Sequence, residues 1–575
     1  MEIARLEQDL VGDGWNVIRH NVSSEDSPTN IKTLIQTDYN DDPANVKAVF
    51  LFGHIPQPYS GNLNPDGHTN HKGAWPADVY YGEIDGTWTD ATLTSTNSSW
   101  SRQHNVPGDG KFDQTILPSP VDLQIGRVDM YDMPAFALNE TELLRQYLDK
   151  DHKFRNLFFN ALPRALIDDN FKYFSGEAFA ASAWRAGSSW FGASQIFAKD
   201  YMSTLKTDPY LLSYGNGAGS YTTANGIGNT TDFATNQVHS VFTLFFGSYF
   251  GDWDSRNSFL RAPLASSPWA LTCGWSGRPH WFMHHMALGL PIGHSTRVTQ
   301  NNYYHDGHPA LYQRSSFGGY VHIGLMGDPT LRLHPVAPPS QLSTATNAAG
   351  DVELQWTASS ETVEGYHIYR APASGGNYTR LNPSLEPSTS FLDTAPPNGT
   401  NSYMVRAVKL QTSASGSYFN PSQATFGTYP DQQVTLAVNS AYGSPHPAAG
   451  THAYPLADAT VLCSISNSGI LIDDIQVVAT GWHGTGSVPA SGTGVETPLI
   501  TLTENSSIAW LWETNFWVTI TSDDNGVVDQ PSGWHRSGST LTLTATGTRF
   551  RYAFSHWSGA DVPAGMSRII RSNCL

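Results

Sequence analysis

A polar segment at residues 53–86 concentrates side chains that carry out acid–base or metal chemistry. It follows the apolar run VKAVFLF and holds both imidazole and carboxylate groups: His54, Asp66, His68, His71, Asp78 and Asp85. Short turns can bring such groups onto one divalent ion, which then activates a water molecule for hydrolysis. One hypothesis is therefore a transition-metal site, for example for Zn2+, with four ligands: Asp66, His68, His71 and Asp78. The alternative is a long polar loop whose histidines cap backbone groups.

The motif NVPGDGKFDQ at residues 105–114 has the composition of a short calcium-binding loop. Asp109 and Asp113 supply carboxylate oxygens, and Gly110 permits the sharp bend between them. The glutamate that closes a full EF-hand loop is missing. We predict a structural Ca2+ site here, with a plain turn as the alternative.

Ser248 follows the apolar run HSVFTLFFG, which predicts a buried strand. A hydroxyl at the end of such a strand lies where an open α/β sheet places its reacting groups. The surrounding sequence is not a G-x-S-x-G elbow, and a serine nucleophile needs a positioned base. The candidate bases are His54, His68 and His71. Asp252, in the Gly-Asp pair that follows Ser248, completes the candidate catalytic set.

The glycine-rich segment YLLSYGNGAGSYTTANGIGNTTDFA at residues 210–234 predicts a loop whose backbone approaches another group closely. Exposed N–H groups in such a loop form an oxyanion hole. The segment lacks the lysine of a phosphate-binding loop, so nucleotide binding is not predicted. The predicted oxyanion and substrate contacts are Gly215, Asn216, Gly217, Gly247, Trp75 and Trp253. The tryptophans also suit stacking on sugar rings.

The elements that must position these groups alternate along residues 1–336. Four apolar runs predict strands, at residues 46–53, 164–169, 239–248 and 269–277. Helical patterns lie between them, among them residues 140–154 with Asn139 as the N-cap. This alternation predicts an α/β sandwich with a mostly parallel sheet. The ligand-binding edge of that sheet is expected to carry His54, Asp168, Asp169, Ser248 and Cys273.

Two all-β regions are predicted after a Pro-rich linker at residues 334–342. Residues 337–428 resemble a fibronectin type III domain, with Trp356, Tyr366 and Tyr403 at the core aromatic positions of that family. Residues 429–575 resemble the Trp-rich β-repeats of large bacterial surface proteins. Both resemblances imply a modular extracellular protein.

Residues 1–336 resemble the gingipain-like cysteine peptidases, which have the caspase-type fold. The segments that carry the resemblance are DLVGDGWNV, AVFLFG, LQIGRVDMYDMPAF, LSYGNGAGS, VFTLFFGSYFGDW and LMGDPTLRL. The resemblance implies a His-Cys pair, with the histidine in a Gly-His-Gly turn. Here that turn contains Asn216 and Ala218 but no histidine, and Ser248 stands in the position of the cysteine.

Composition limits the partners of this chain. Its 575 residues carry a formal net charge of −18 without any basic cluster, so a nucleic-acid partner is not predicted. Its cysteines, Cys273, Cys463 and Cys574, are too far apart in sequence for a metal motif or a disulfide framework. No apolar run reaches the length of a membrane span. The segment MEIARLEQDL predicts an amphipathic helix rather than a signal peptide, which indicates that the chain begins inside a fold.

These features together predict a secreted or cell-surface bacterial hydrolase of the peptidase type. Its predicted partners are a peptide or polysaccharide substrate and other extracellular domains of a longer parent protein. Two alternatives stay open. One is a metal-dependent hydrolase built on the loop that carries His68 and His71. The other is an inactive relative of the peptidases that acts in surface adhesion or carbohydrate binding.

Overall fold

The computed structural model describes residues 2–558, except 175–176, 278–279, 304–309, 313–317, 348, 373–376, 395, 398–399, 430–432, 456–458, 473–474, 550–551 and 553. Cys574 lies outside the described residues. Contacts divide the chain into two units, Met1–Tyr429 and Pro430–Leu575. Every catalytic, substrate or metal residue predicted above belongs to the first unit.

Eight strands of the described chain form the main sheet of the first unit. They are β1 (Ala48–Phe52), β2 (Gln124–Val128), β3 (Ala165–Asp169), β4 (Ile196–Ala198), β5 (Tyr210–Asn216), β6 (Ser240–Phe246), β7 (Thr272–Trp275) and β8 (Gly324–Gly327). Their order across the sheet is β1-β2-β8-β7-β6-β5-β3-β4. Within this described sheet β1 is parallel to β2, and the neighbouring pairs among β7, β6, β5, β3 and β4 are all parallel. Strand β8 is antiparallel to β7 and meets β2 through one residue pair, Met326 with Arg127. The predicted α/β fold with a mostly parallel sheet is thus confirmed at this level.

Contacts connect the segments that follow β1, β2 and β6. Asp129, directly after β2, accepts from Arg261 Nη1 at 3.2 Å, and Arg261 Nη2 donates at 2.8 Å to the Ser255 carbonyl in the segment after β6. Tyr59, in the segment after β1, bonds Asp254 in that same segment after β6. The carboxyl ends of these three strands therefore lie at one edge of the sheet, as the sequence predicted for His54 and Ser248.

The prediction that Cys273 lies at the edge of the sheet is wrong. It lies inside β7 and pairs with Thr243 in the middle of β6, so it is not at the edge of the sheet. Its side chain is fully buried, and burial raises the pKa of the thiol well above its ordinary value. Cys273 is therefore a core residue.

Helices and turns connect the strands. The helices are α1 (Glu2–Gly12), α2 (Pro28–Asp41), α3 (Val79–Gly82), α4 (Glu140–Arg155), α5 (Ala181–Phe191), α6 (Tyr201–Leu205), α7 (Thr230–Thr235), α8 (Ala262–Ala265) and α9 (Ile292–Gln300). Short 3-10 turns cover Thr69–His71, Ser101–Gln103, Ala193–Gln195 and His284–Leu288. The Asn139 side chain accepts the Glu142 N–H and Glu142 accepts the Asn139 N–H, so the predicted N-cap of α4 is confirmed. Strands β5 and β6 are buried at every residue, as in a sheet covered on both faces.

A small hairpin carries the loop in which most of the candidate residues lie. Tyr59–Leu63 pairs antiparallel with Gly73–Pro76, and the connection between them contains Asp66, His68 and His71. Other short pairs in this unit are Tyr173–Phe174 with Glu177–Ala178, Thr223–Ala224 with Gly228–Asn229, and Gln237–Val238 with Ser267–Pro268.

The remainder of the first unit is a pair of antiparallel sheets. One contains Ser340–Thr346, Val352–Thr357 and Ser390–Asp393; the other contains Thr379–Arg380, Gly365–Pro372, Asn401–Ser413 and Gly416–Tyr429. Trp356, Tyr366 and Tyr403 meet in one apolar core, as the sequence predicted. The segment is bonded to the α/β part, since Gln423 Nε2 donates to the Asp9 carbonyl at 2.7 Å.

The second unit is built from strands. Its largest sheet contains Gly450–Pro455, Gln433–Asn439, Ser506–Val518, Ile475–Thr485, Gly469–Ile472, Ser491–Thr493 and Gly533–Arg536. Short pairs join Ser444–His446 with Ser464–Ser466, Thr460–Val461 with Ile500–Thr501, and Gly526–Val528 with Ala545–Gly547. The resemblance to Trp-rich repeats stays a prediction. Within the described ranges of both units, no helix has the length and apolar character to cross a membrane.

Candidate active site

Ser248 lies two residues beyond the end of β6, in a sharp turn. A methyl group on Gly247 would collide with the Phe250 ring, so the turn accepts no side chain at that position. Tyr249 has a φ of 69°, in the left-handed region that residues other than glycine seldom adopt. The Ser248 side chain is partly exposed. The turn therefore presents the hydroxyl at the rim of the sheet.

His68 is the candidate base that meets Ser248. Its Nε2 lies 2.8 Å from Ser248 Oγ, which is within reach for proton transfer. The imidazole stacks on the Tyr249 ring with centroids 5.6 Å apart and an angle of 20° between the planes. The fold thus brings together a serine and a histidine that are 180 positions apart in the sequence.

His71 lies behind this pair, between two buried carboxylates. Its Nδ1 donates to Asp66 Oδ2 at 2.5 Å, and its Nε2 donates to Asp252 Oδ2 at 2.9 Å. Burial alone lowers the pKa of His71, but the hydrogen bonds to Asp252 and Asp66 outweigh burial and raise it. His71 does not contact Ser248, so it is not the base. The same contacts place Asp252 behind the nucleophile rather than beside it.

Two further polar side chains, Gln103 and Arg102, contact the Asp252 carboxylate. Gln103 Nε2 donates to Asp252 Oδ2 at 3.2 Å, and Arg102 Nε lies 4.0 Å from Asp252 Oδ1. Arg102 also bonds Asp254 and donates to the Tyr59 hydroxyl. These contacts extend the network into the hairpin that carries His68.

His54 belongs to a different cluster. Its Nδ1 bonds Asp129 Oδ2 at 2.9 Å, and its ring stacks on Tyr131 with centroids 4.1 Å apart. The hydrogen bond to Asp129 raises the pKa of His54. Asp129 is also bonded to Arg261. The structure therefore pairs His54 with Asp129, and His68 rather than His54 is the imidazole that meets Ser248.

The glycine loop approaches Ser248 at a later residue than predicted. Gly215 and Asn216 lie in β5 and pair with both neighbouring strands, and the Gly217 N–H donates to the Phe246 carbonyl at 3.2 Å. Gly219 is the residue whose backbone packs on Ser248, since a methyl group there would lie 2.5 Å from the Ser248 carbonyl oxygen. The backbone of Gly215, Asn216 and Gly217, which the sequence analysis assigned to an oxyanion hole, is therefore engaged in pairing with neighbouring strands.

The predicted aromatic contacts with substrate are wrong for Trp75 and Trp253. Trp75 is fully buried, and its Nε1 donates to the Leu63 carbonyl at 2.9 Å. Trp253 is 3% exposed and lies against Arg127, whose guanidinium is 4.7 Å from the ring centroid. Both tryptophans belong to the apolar core of the first unit, which the sequence pattern did not reveal.

The aromatic surface beside Ser248 comes from residues that the sequence analysis did not select. Tyr221 lies 5.2 Å from Tyr249 and 5.7 Å from Trp100, measured between ring centroids. Trp100 is 42% exposed. Trp100 ends the sequence SSW and Tyr221 lies in the glycine-rich segment, but nothing in the sequence related either residue to Ser248.

The four predicted ligands of a transition metal do not converge. Both carboxylate oxygens of Asp78 accept hydrogen bonds of 2.8 Å from Arg127, and the His68 ring faces Ser248. Among the residues that the structure describes, no group of three or more His, Cys, Asp or Glu side chains is arranged to hold a metal ion. The metal-dependent alternative therefore loses the ligand set on which it was based.

Asp113 of the predicted calcium loop accepts hydrogen bonds from the segment at residues 89–93. The Leu93 amide donates to Asp113 at 2.9 Å and the Thr89 hydroxyl donates to it at 2.7 Å. Burial alone raises the pKa of Asp113, but these hydrogen bonds outweigh it and lower the pKa to about 2. Asp109 pairs with Lys111 at 3.6 Å. Calcium binding by this loop stays a prediction.

Comparisons with known proteins place this chain beside peptidase and fibronectin structures at low similarity. No family model matches the chain, and no curated protein matches it. The Arg-specific cysteine proteinase gingipain R aligns with 13% identity and a TM-score of 0.43, over 73% of this chain and 95% of its own.

Two further solved structures are similar at comparable or lower levels. The complex of the RgpB pro- and mature domains from Porphyromonas gingivalis aligns with 13% identity and a TM-score of 0.41, over 73% of this chain and 97% of its own. A fibronectin type III-like protein from Clostridium thermocellum aligns with 25% identity and a TM-score of 0.13, over 15% of this chain and 86% of its own. At these values the similarity assigns no activity and no residue role to this chain.

Proposed function

We propose that the chain is a hydrolase that cleaves acyl bonds with Ser248 as nucleophile and His68 as general base. The observation that carries this proposal is the 2.8 Å separation between Ser248 Oγ and His68 Nε2. With its own proton on Nδ1, His68 accepts the hydroxyl proton at Nε2 as Oγ attacks the carbonyl carbon of the substrate. The Oγ–carbon bond forms, the bond to the leaving group breaks, and His68 passes the proton to the leaving group. Water then hydrolyses the acyl-enzyme by the same route.

Two backbone amides beside the nucleophile support this chemistry. In the hydrogen bonds of the described chain, neither the Ser248 amide nor the Gly219 amide has an acceptor. Gly219 packs directly on the Ser248 backbone. Amide donors next to the attacking oxygen stabilise the negative charge that develops on the substrate carbonyl.

Peptides are the first substrate class to test. The segments of residues 1–336 that resemble gingipain-like peptidases support this choice, and so does a secreted or cell-surface location of the kind that such peptidases occupy. Esters have the same acyl carbon and a better leaving group, so they belong in the same panel. A serine in the place of a thiolate depends more strongly on its base, which makes His68 as informative a target as Ser248.

The test compares hydrolysis of a peptide and ester panel by the wild type, Ser248→Ala and His68→Ala. We expect each variant to lose at least about 10³-fold in kcat/KM, because nucleophile and base act as a unit. Ser220→Ala is the matched control, since Ser220 lies in the neighbouring loop and its Oγ bonds Thr223 Oγ1 at 2.8 Å and accepts the Thr222 N–H at 3.3 Å. A fluorophosphonate probe gives a second readout, in which the Oγ–phosphorus bond forms and fluoride leaves.

Three outcomes separate the alternatives. Activity and labelling lost in Ser248→Ala and His68→Ala but kept in Ser220→Ala support the proposal. Turnover that survives in Ser248→Ala would show that another site carries out the hydrolysis. A folded wild type that neither hydrolyses the panel nor reacts with the probe contradicts the proposal and favours a binding scaffold.

A further inference from the structure

The Asp66 carboxylate joins the loop that carries His68 to the turn that carries Ser248. Its Oδ1 accepts the His68 backbone N–H at 3.2 Å, and its Oδ2 accepts the Tyr249 backbone N–H at 3.3 Å. One carboxylate therefore holds the backbone of the base and the backbone next to the nucleophile. The two segments come from distant parts of the chain, so their separation depends on contacts of this kind.

His71 fixes the orientation of that carboxylate. It bonds Asp66 on one side and Asp252 on the other, and no part of its side chain is exposed. Donation to both carboxylates requires a proton on each ring nitrogen, which is the imidazolium form. The two hydrogen bonds from one ring fix the orientation of both buried carboxylates. Asp252 lies in the same turn as Ser248, so the chain of contacts closes on the nucleophile from behind.

Tyr249 shows why the turn needs this support. A tyrosine with a φ of 69° adopts a sparsely populated backbone conformation, which persists only where the surroundings hold it. The Tyr249 N–H is held by Asp66, and its ring packs on His71 with centroids 4.4 Å apart. The same ring also stacks with the His68 imidazole. Release of the Tyr249 amide would therefore change the position of both reacting groups.

We propose that Asp66, oriented by His71 and Asp252, is a positioning residue that sets the approach of His68 to Ser248. This inference rests on the proposed function. It adds a role for Asp66, a group that touches neither the substrate nor the reacting atoms. Asp66 holds the backbone of His68 rather than its imidazole. In this respect it differs from a carboxylate that orients a catalytic histidine through the ring.

The test measures the inactivation of Asp66→Asn by a fluorophosphonate probe in the full chain. Asparagine has nearly the same size, but its NH2 group cannot accept the hydrogen bonds that Asp66 Oδ2 accepts. We expect the rate constant of the bound probe to fall between ten- and a hundredfold, because misplacement by about 1 Å costs that much. The final stoichiometry stays at one label per chain. Partial unfolding lowers the stoichiometry instead of the rate constant, so the two effects are separable.

Two further variants complete the experiment. Asp66→Glu keeps a charge beside His71 but moves the carboxylate by one methylene, and we expect a similar loss of rate from a chain that folds. Glu83→Gln is the matched control, because Glu83 is equally buried, pairs with Lys32 at 3.5 Å and lies outside the site. It should lower stability without changing the labelling rate constant.

The outcomes distinguish this inference from the proposed function. Slow labelling at full stoichiometry in Asp66→Asn or Asp66→Glu, with a normal rate in Glu83→Gln, supports the positioning role. Wild-type rates in the folded Asp66 variants overturn it and leave the Ser248–His68 pair in place. An unreactive wild type removes the proposed function, and the positioning role with it.

Discussion

At the scale of the residue, the contact between Gly219 and Ser248 decides how much room the nucleophile has. A methyl group at position 219 would lie 2.5 Å from the Ser248 carbonyl oxygen and 2.7 Å from its amide nitrogen. Both neighbours are backbone atoms, so they cannot move aside as a flexible side chain does. We expect Gly219→Ala to displace the turn and reduce labelling of Ser248 by about a hundredfold. Ala218→Ser, at the exposed neighbouring position, should stay within about twofold of the wild type. Equal rates in both variants would contradict the close packing.

At the scale of the element, a buried ion cluster joins three segments of the first unit. Arg155, at the end of α4, bonds Asp13 beyond α1, Asp151 in its own helix at 2.8 Å and Asp328 after β8 at 2.6 Å. These side chains are almost completely buried. Removal of the arginine leaves three carboxylates in the interior without their common partner. We therefore expect Arg155→Met to cost about 3–5 kcal/mol in the free energy of unfolding.

The same helix offers the control for this prediction. Arg145, in α4, forms an exposed ion pair with Glu2 of α1 at 3.4 Å. Solvent screens such a pair, so Arg145→Met should cost less than about 1 kcal/mol. Urea denaturation of the two variants beside the wild type measures both values. Equal destabilisation by Arg145→Met and Arg155→Met would show that the buried cluster adds no more to the free energy of unfolding than an exposed ion pair does.

At the scale of the whole molecule, each of the two units has apolar clusters of its own. Within the first unit, the α/β part and residues 337–429 exchange hydrogen bonds: Arg332 donates to Asn420 at 2.7 Å and to the Pro421 carbonyl at 2.9 Å. We expect a chain that ends at Tyr429 to keep the wild-type labelling rate. A chain that ends at residue 336 should melt at least about 5 °C lower than the longer one, since it loses several kcal/mol of contacts.

Differential scanning calorimetry and labelling of the two truncated chains test this prediction. Loss of folding in the chain that ends at Tyr429 would mean that the second unit supports the first. Equal melting of the two truncated chains would mean that the hydrogen bonds of Arg332 and Gln423 to their partners add no stability.

The sequence by itself determined the local elements and the chemical types at the site. The apolar runs became β1, β3, β6 and β7, and Asn139 caps α4, because strand period, burial and capping depend on neighbouring residues. Ser248 and His68 were both among the candidates for the same reason: residue type and position after a strand are local properties. The aromatic core of residues 337–428 followed from regular strand spacing in the same way.

Tertiary structure alone decided which candidates meet. The hairpin around residues 59–76 carried His68 onto Ser248, whereas His54 bonds Asp129. Burial removed Trp75 and Cys273 from the site, and Arg127 took Asp78 into an ion pair. Contacts between residues 180 positions apart depend on strand direction and on how loops cover the sheet. Neither property is encoded in a local pattern, so composition and spacing supplied the candidates and the fold selected among them.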